Sequence, residues 1–152
     1  MKEIQRVVVS AILFSKDGKI LMGRKDPLKG GIYPDCWHIP GGGVEENESL
    51  LQALIREVME EVKIDISPYK IVSIPFVEHL ETEKTLKENN ERVLCKMEIN
   101  RFEVHIDDKN ADEIEIISQD DLIDLCWFSK EELMDVKQIP GGKEFFKKMG
   151  YI

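Results

Sequence analysis

The run GGGVEENESLLQALIREVMEEVKI, residues 41–64, decides how this chain folds. Three glycines open it and a helical pattern follows. Leu51, Leu54, Ile55, Val58 and Val62 recur at spacings of three and four, which predicts a helix over 48–62 with one apolar face toward a core. Asn47 is the expected N-cap, and Pro68 limits continuation beyond the far end. On the same helix Glu57, Glu60 and Glu61 stand at i, i+3 and i+4. At ~100° per residue they share one sector, rotated by roughly a third of a turn from the apolar stripe. Three crowded carboxylates repel one another and raise each other's pKa unless a cation neutralises them. Hard oxygen donors with no Cys or His beside them suit Mg²⁺ or Mn²⁺. Arg56, adjacent to the cluster, can orient a carboxylate by a two-pronged hydrogen bond. A solvated acidic face is the plain alternative; the glycine run directly ahead of the helix favours the chemical one.

Upstream, residues 6–15 are apolar and rich in β-branched types, Lys16-Asp17-Gly18-Lys19 is a hairpin turn signal, and residues 20–24 read as the returning strand. Residues 25–36 read as an irregular loop, and Trp37 to Pro40 as a short strand that breaks at Gly41-Gly42-Gly43. Downstream, Tyr69 to Leu80 turns to strand with an interruption at Pro75, Glu81 to Glu91 reads as an exposed loop, and Arg92 to Ile106 as one long strand or two short ones. A second helix starts near Ser129 with Glu132 closing a capping box, and residues 143–150 form a terminal helix. Strand, strand, helix, strands, helix describes an α+β chain, an α/β/α sandwich in one domain spanning 1–152. Ile-Pro-Gly-Gly occurs at 39–42 and again at 139–142, but the flanking sequences differ and the pair reads as coincidence.

With 21 Lys plus Arg against 30 Asp plus Glu, the formal net charge is −9, a poor balance for gripping phosphate backbones directly. Direct nucleic-acid binding is therefore not expected, and a phosphorylated ligand would arrive with a metal. Cys36, Cys95 and Cys126 are odd in number with no CxxC spacing, which fits a reducing, cytoplasmic compartment. The apolar stretch from Val7 to Phe14 is too short to span a bilayer, so no membrane association is expected. Asp108, Asn110 and Asp112 imitate the start of a calcium loop, yet Glu113 and Gln119 occupy the positions where that loop needs Gly and Glu.

Gly42, five residues, Glu48, seven residues, then Arg56-Glu57-Val58-Met59-Glu60-Glu61-Val62-Lys63-Ile64 resembles the Nudix box, G-x5-E-x7-R-E-U-x-E-E-x-G-U with U apolar. Every fixed position matches except the late Gly, which is Lys63, and Asn47 stands where many members have Gly. The preceding hairpin and the later Trp127…Glu132-Leu133 segment also resemble the family layout. The resemblance implies a Nudix α/β/α sandwich with a mixed sheet. It also implies metal-dependent attack of water on the diphosphate of a nucleoside diphosphate linked to a further group X. Carried over by position, Glu57, Glu60 and Glu61 would be the metal ligands, joined by the Gly41 carbonyl, with Mg²⁺ or Mn²⁺ as cofactor. Glu57, Glu60 and Arg56 would form the catalytic set, Arg56 orienting a helix carboxylate, while Glu48 would support it from behind. Gly42 and Gly43 would let backbone approach the substrate, and Arg24 matches a position that often contacts phosphate in this family. The general base would be a box glutamate such as Glu57 or a distal carboxylate, Glu113 or Glu115. Many relatives are homodimers.

Subfamily marks outside the box narrow the substrate. Leu80 stands where ADP-ribose pyrophosphatases carry Pro, and no Tyr near it marks dinucleoside polyphosphates. The coenzyme A and NADH patterns are absent, which leaves a nucleoside triphosphate or a nucleotide-sugar-like substrate. Two other readings use the same fold. An isopentenyl diphosphate isomerase is hinted at by Cys36-Trp37-His38, but its metal site needs histidines upstream of His38, and His79 and His105 both lie downstream. A nucleotide-binding module without catalysis would ordinarily have lost a box carboxylate, and all are retained here.

Overall fold

The computed structural model describes residues 1–25, 28, 33, 35–117 and 122–152, with the backbone alone at Ile123. Strand β1 (Lys2–Phe14) turns through Gly18, whose positive φ of 79° permits the tight reversal, into β2 (Ile20–Lys25). Next come β3 (Trp37–His38), β4 (Gly41–Gly43) and helix α1 (Leu50–Val62). Then follow β5 (Lys70–Ser73), β6 (Glu78–Thr85), β7 (Arg92–His105), β8 (Leu122–Phe128) and helices α2 (Lys130–Leu133) and α3 (Gly142–Lys148). Most of the expected 25–36 loop, and residues 118–121 of the segment after β7, lie outside the described residues.

The sheet is mixed. Strands β1 and β7 run parallel in unbroken register from Lys2↔Val93 to Phe14↔His105, and the other pairings are antiparallel. Period-two alternation divides the apolar residues between two faces. Val9, Ala11, Leu13 and Leu21 pack with Ala53, Leu54, Val58 and Val62 of α1. Ile12, Ile20 and Met22 pack on the opposite face with Leu133, Phe145 and Phe146. Each fully buried Leu or Val of α1 contributes about 1.5–3 kcal/mol. The α+β sandwich expected from the sequence is the observed architecture. No helix among the described residues is long and apolar enough to cross a membrane.

Four expectations need correction. The N-cap of α1 is Ser49, not Asn47: Ser49 Oγ accepts the Gln52 N–H at 3.1 Å and the Gln52 side chain accepts the Ser49 N–H at 2.9 Å. This reciprocal pair starts the helix two residues later than expected, while Asn47 takes a left-handed φ of 64° that Asn tolerates. Leu51, assigned to the core stripe, is 47% exposed in the first turn, whereas Ala53 is wholly buried one turn before Glu57 on the same side. Gly41–Gly43 do not break a strand but form one, β4, against Val8–Ser10 of β1. A Cβ on Gly41 would collide with the Val9 carbonyl, so glycine is what lets β4 lie this close. Residues 81–85 are strand rather than loop, because β6 pairs with the first half of β7 from Thr85↔Arg92 to Glu78↔Ile99. As an edge strand β6 tolerates polar side chains on both faces, which is why its pattern looked like loop.

Ile139, the first residue of the second Ile-Pro-Gly-Gly segment, lies beside β3. Trp37 donates its N–H to the Lys137 carbonyl at 2.9 Å, and Ile139 donates to the Trp37 carbonyl at 3.2 Å, a short parallel bridge that pins β3.

Candidate active site

Helix α1 lies across β4, and the glycines set the distance between them. Gly42 faces Val9 in the ladder and looks toward α1, where an added Cβ would fall inside the Glu57 carboxylate. Glycine at 42 therefore makes the seat of Glu57.

Arg56 organises the rest. Its Nε donates to Glu48 Oε2 at 2.7 Å, and Nη2 donates to Glu48 Oε1 at 2.8 Å and to the Gly43 carbonyl at 3.0 Å. Nη1 reaches Glu57 Oε1 at 2.9 Å and Glu60 Oε2 at 3.3 Å. One planar guanidinium thus ties the loop before the helix, the glycine strand and two helix carboxylates together. Glu48 also accepts the Glu45 backbone N–H at 3.0 Å. The Arg56 hydrogen bonds, with that backbone donor, hold its carboxyl well below the ordinary range, at about 2. Burial pushes the Glu57 carboxyl up, against the opposing pull of Arg56. Glu60 is 51% exposed, and Glu61 has one carboxylate oxygen sealed from solvent.

The three helix carboxylates do not converge on one point as they stand: no group of three His, Cys, Asp or Glu among the described residues is arranged to hold a metal ion. Their chemistry fits one nevertheless. All are hard oxygen donors, and Arg56 engages Glu57 through Oε1 and Glu60 through Oε2, leaving the second oxygen of each clear of it.

Arg24 is placed apart from this network. Its Nη1 meets Asp35 at 2.7 Å, its Nε and Nη2 both hold Asp124 (Nε at 2.9 Å), and its guanidinium lies 5.6 Å from the Trp37 ring centre. Glu113 is occupied locally, accepting the Asn110 N–H at 2.9 Å to close a 3-10 turn over Ala111–Glu113. Glu115 is exposed between Ile114 and Ile116, which pack on the α1 side of the core. The described contacts join neither glutamate to Arg56 or to the α1 carboxylates.

One residue escaped the sequence reading. Arg6 of β1 lies against Gly43, where an added Cβ would stand 3.0 Å from its Nε, and its charge acts on Glu57. Nothing local marks it; it is placed by the Val8↔Gly43 register.

The NUDIX domain family model matches residues 4–149. Over 64 residues the chain is 38% identical to the RNA pyrophosphohydrolase of Hydrogenovibrio crunogenus, a match covering 42% of this chain and 35% of that protein. The chain thus spans about a third of the length of the curated relatives it matches first. Among solved structures, the Escherichia coli dihydroneopterin triphosphate pyrophosphohydrolase superposes with a TM-score of 0.70 at 18% identity, over 93% of this chain and 92% of that one. A bifunctional NMN adenylyltransferase/ADP ribose pyrophosphatase from Francisella tularensis, in a complex with AMP and a Mn ion, superposes at a TM-score of 0.61 and 21% identity, over 96% and 41%. The chain belongs to the NUDIX family. These relatives carry hydrolase names, and the isomerase alternative finds no support among them.

Proposed function

We infer that this protein is a divalent-metal-dependent pyrophosphohydrolase that cleaves the diphosphate of a nucleoside diphosphate derivative. A nucleoside triphosphate or nucleotide-sugar-like molecule is the favoured substrate, acted on in a reducing, cytoplasmic setting. The observation that carries this reading is the Arg56 network, which presents Glu57 and Glu60 together beside the Gly42–Gly43 backbone. Glu57, Glu60 and Glu61, with the Gly41 carbonyl, would hold Mg²⁺ or Mn²⁺. Such a cation, when bound, offsets phosphate charge and lowers the pKa of the attacking water. Arg56 keeps Glu57 and Glu60 turned the same way, and Glu48 holds Arg56 in place. Glu57 is the favoured proton acceptor, since Arg56 holds one of its oxygens beside the Gly42 backbone and leaves the other clear. Glu113 and Glu115 are the weaker candidates, being a turn cap and an exposed side chain.

A nucleotide panel read by phosphate release, with and without added pyrophosphatase, tests this directly. Turnover should require Mg²⁺ or Mn²⁺, vanish in EDTA and return on adding back the metal. Tight nucleotide binding with no turnover would identify a binding module instead, and full turnover in excess chelator would remove the metal.

A further inference from the structure

Strand β6 is an edge. Among the described residues it pairs only with β7, so the N–H and C=O groups along its outer side meet no other strand. Charges on an edge strand ordinarily repel a second strand, but a particular order of charges invites one strand alone. β6 reads Glu-His-Leu-Glu-Thr-Glu-Lys-Thr over Glu78–Thr85. Laid antiparallel beside a copy of itself about Glu81, it sets Glu78 opposite Lys84 and His79 opposite Glu83, each twice, and Leu80 opposite Thr82. Val77 and Leu80 are exposed along the same edge.

The side chains are placed to serve that pairing. His79 and Lys84 make no side-chain ion pair or hydrogen bond among the described residues. Glu78 meets Arg101 at 2.7 Å and Glu83 meets Arg92 at 3.4 Å, each through Oε2, which leaves Oε1 of both for a partner. Glu81 alone meets its own twin, a like pair. Lys96 stands opposite it in β7, with Nζ 3.9 Å from Glu81 Oε1, so two ammonium groups would flank the two carboxylates. Neighbouring registers lack this match. Centred on Thr82, Glu81 faces Glu83 twice, which is destabilising. Centred on Leu80, Lys84 faces Phe76, whose ring Lys148 already covers at 4.0 Å.

We propose that β6 pairs antiparallel with β6 of a second copy of this chain, about a twofold axis at Glu81, so that two eight-stranded sheets become one. The contact is isologous and consumes the same edge in both copies, which closes the assembly at a dimer. Backbone hydrogen bonds supply the ladder, and the charges select the register.

Disulfide cross-linking under oxidised glutathione reads the register, and sedimentation equilibrium reads the affinity. Residues directly opposite in an antiparallel pair lie about 4.5–5.5 Å apart at Cα, within disulfide reach. A residue displaced by two positions from its twin lies about 7–8 Å away, at or beyond the limit of about 7 Å. Glu81→Cys should therefore form a disulfide-linked dimer, and Leu80→Cys or Thr82→Cys alone should do so at least tenfold more slowly. Mixed together, those last two should cross-link to each other. Wild type, whose Cys36 and Cys95 are buried, gives the background. Lys84→Glu puts a carboxylate opposite Glu78 and should weaken the dimer at least tenfold. Lys70→Glu, the same charge change at an exposed residue of β5, should leave it within twofold. Circular dichroism and thermal melting certify that each variant is folded. The proposal is overturned if wild type is a monomer at about 100 µM, a concentration that populates even a weak interface. It is equally overturned if Glu81→Cys cross-links no faster than wild type, or if Leu80→Cys or Thr82→Cys alone matches it. A Lys84→Glu dimer within twofold of wild-type strength would place the contact elsewhere on the chain and overturn it too.

Discussion

Arg56 grips Glu48 by two parallel hydrogen bonds, Nε to Oε2 at 2.7 Å and Nη2 to Oε1 at 2.8 Å, so a residue ahead of the helix is locked to the helix's second turn. The grip lowers the Glu48 pKa from 4.5 to about 2. A carboxylate with a depressed folded-state pKa stabilises the fold fully above its unfolded value, and that stabilisation is lost as pH falls through the folded value. The melting temperature of Glu48→Gln should therefore lie below wild type by the widest margin above pH 5. The two curves should close on each other toward pH 2. Parallel curves over that whole range would show that the pair adds no pH-dependent stability.

Glu60 shares the same guanidinium but is half exposed, and its proposed task is to hold the metal. Glu60→Gln keeps volume and removes charge, so it should cost on the order of 10³-fold in turnover, equivalent to about 4 kcal/mol of barrier. Its melting temperature without metal should stay close to wild type. Near-full turnover in Glu60→Gln alongside a dead Glu48→Gln would mean that the metal is not held on α1.

The seat at Gly42 admits no side chain, since a Cβ there would overlap the Glu57 carboxylate. Gly42→Ala should displace Glu57 and lower turnover by about 10²-fold, roughly 2.7 kcal/mol of barrier. Manganese affinity should fall with it. An alanine variant with unchanged metal affinity would show that Glu57 can move without consequence.

Lys63 ends α1 in the left-handed region at φ 60°, with its N–H bonded to the Met59 carbonyl at 3.1 Å. Glycine adopts that conformation without the Cβ penalty, so Lys63→Gly should raise stability by about 1 kcal/mol in urea unfolding. Turnover should stay within a few-fold, because the side chain lies outside the proposed ligand set. A loss of stability would mean that the lysine side chain itself supports the helix end.

What the sequence made legible was local. The helix, its carboxylate sector, the β1–β2 turn and the Ser129–Glu132 cap each depend on residues within a few positions of one another, where periodicity and capping chemistry act. The capping box at Ser49–Gln52 is equally local, but Asn47 offers the same capping chemistry two residues earlier and takes a left-handed φ instead. The rest depends on pairing at a distance. Gly41–Gly43 become a strand only because Val8–Ser10 lies beside them, and β6 is a strand only because β7 offers it an edge. Arg24 has the ordinary appearance of a phosphate-binding residue until Asp124, 100 positions away, closes on it. Arg6 carries no motif at all and gains its place through the register of β1 with β4.

The parallel pairing of β1 with β7 sets a timetable for synthesis. Lys2 meets Val93, and the same offset of roughly ninety residues holds to the end of both strands. At about 5–20 residues per second, a nascent β1 waits about 5–20 s before its partner leaves the ribosome. Through that interval Val7–Leu13 is an apolar strand with an open edge, and the antiparallel hairpin with β2 is the partner already available to it. Newly made chains are thus most exposed to misassociation before β7 emerges, and a holdase acting on the first hundred residues would protect the step on which the whole sheet depends.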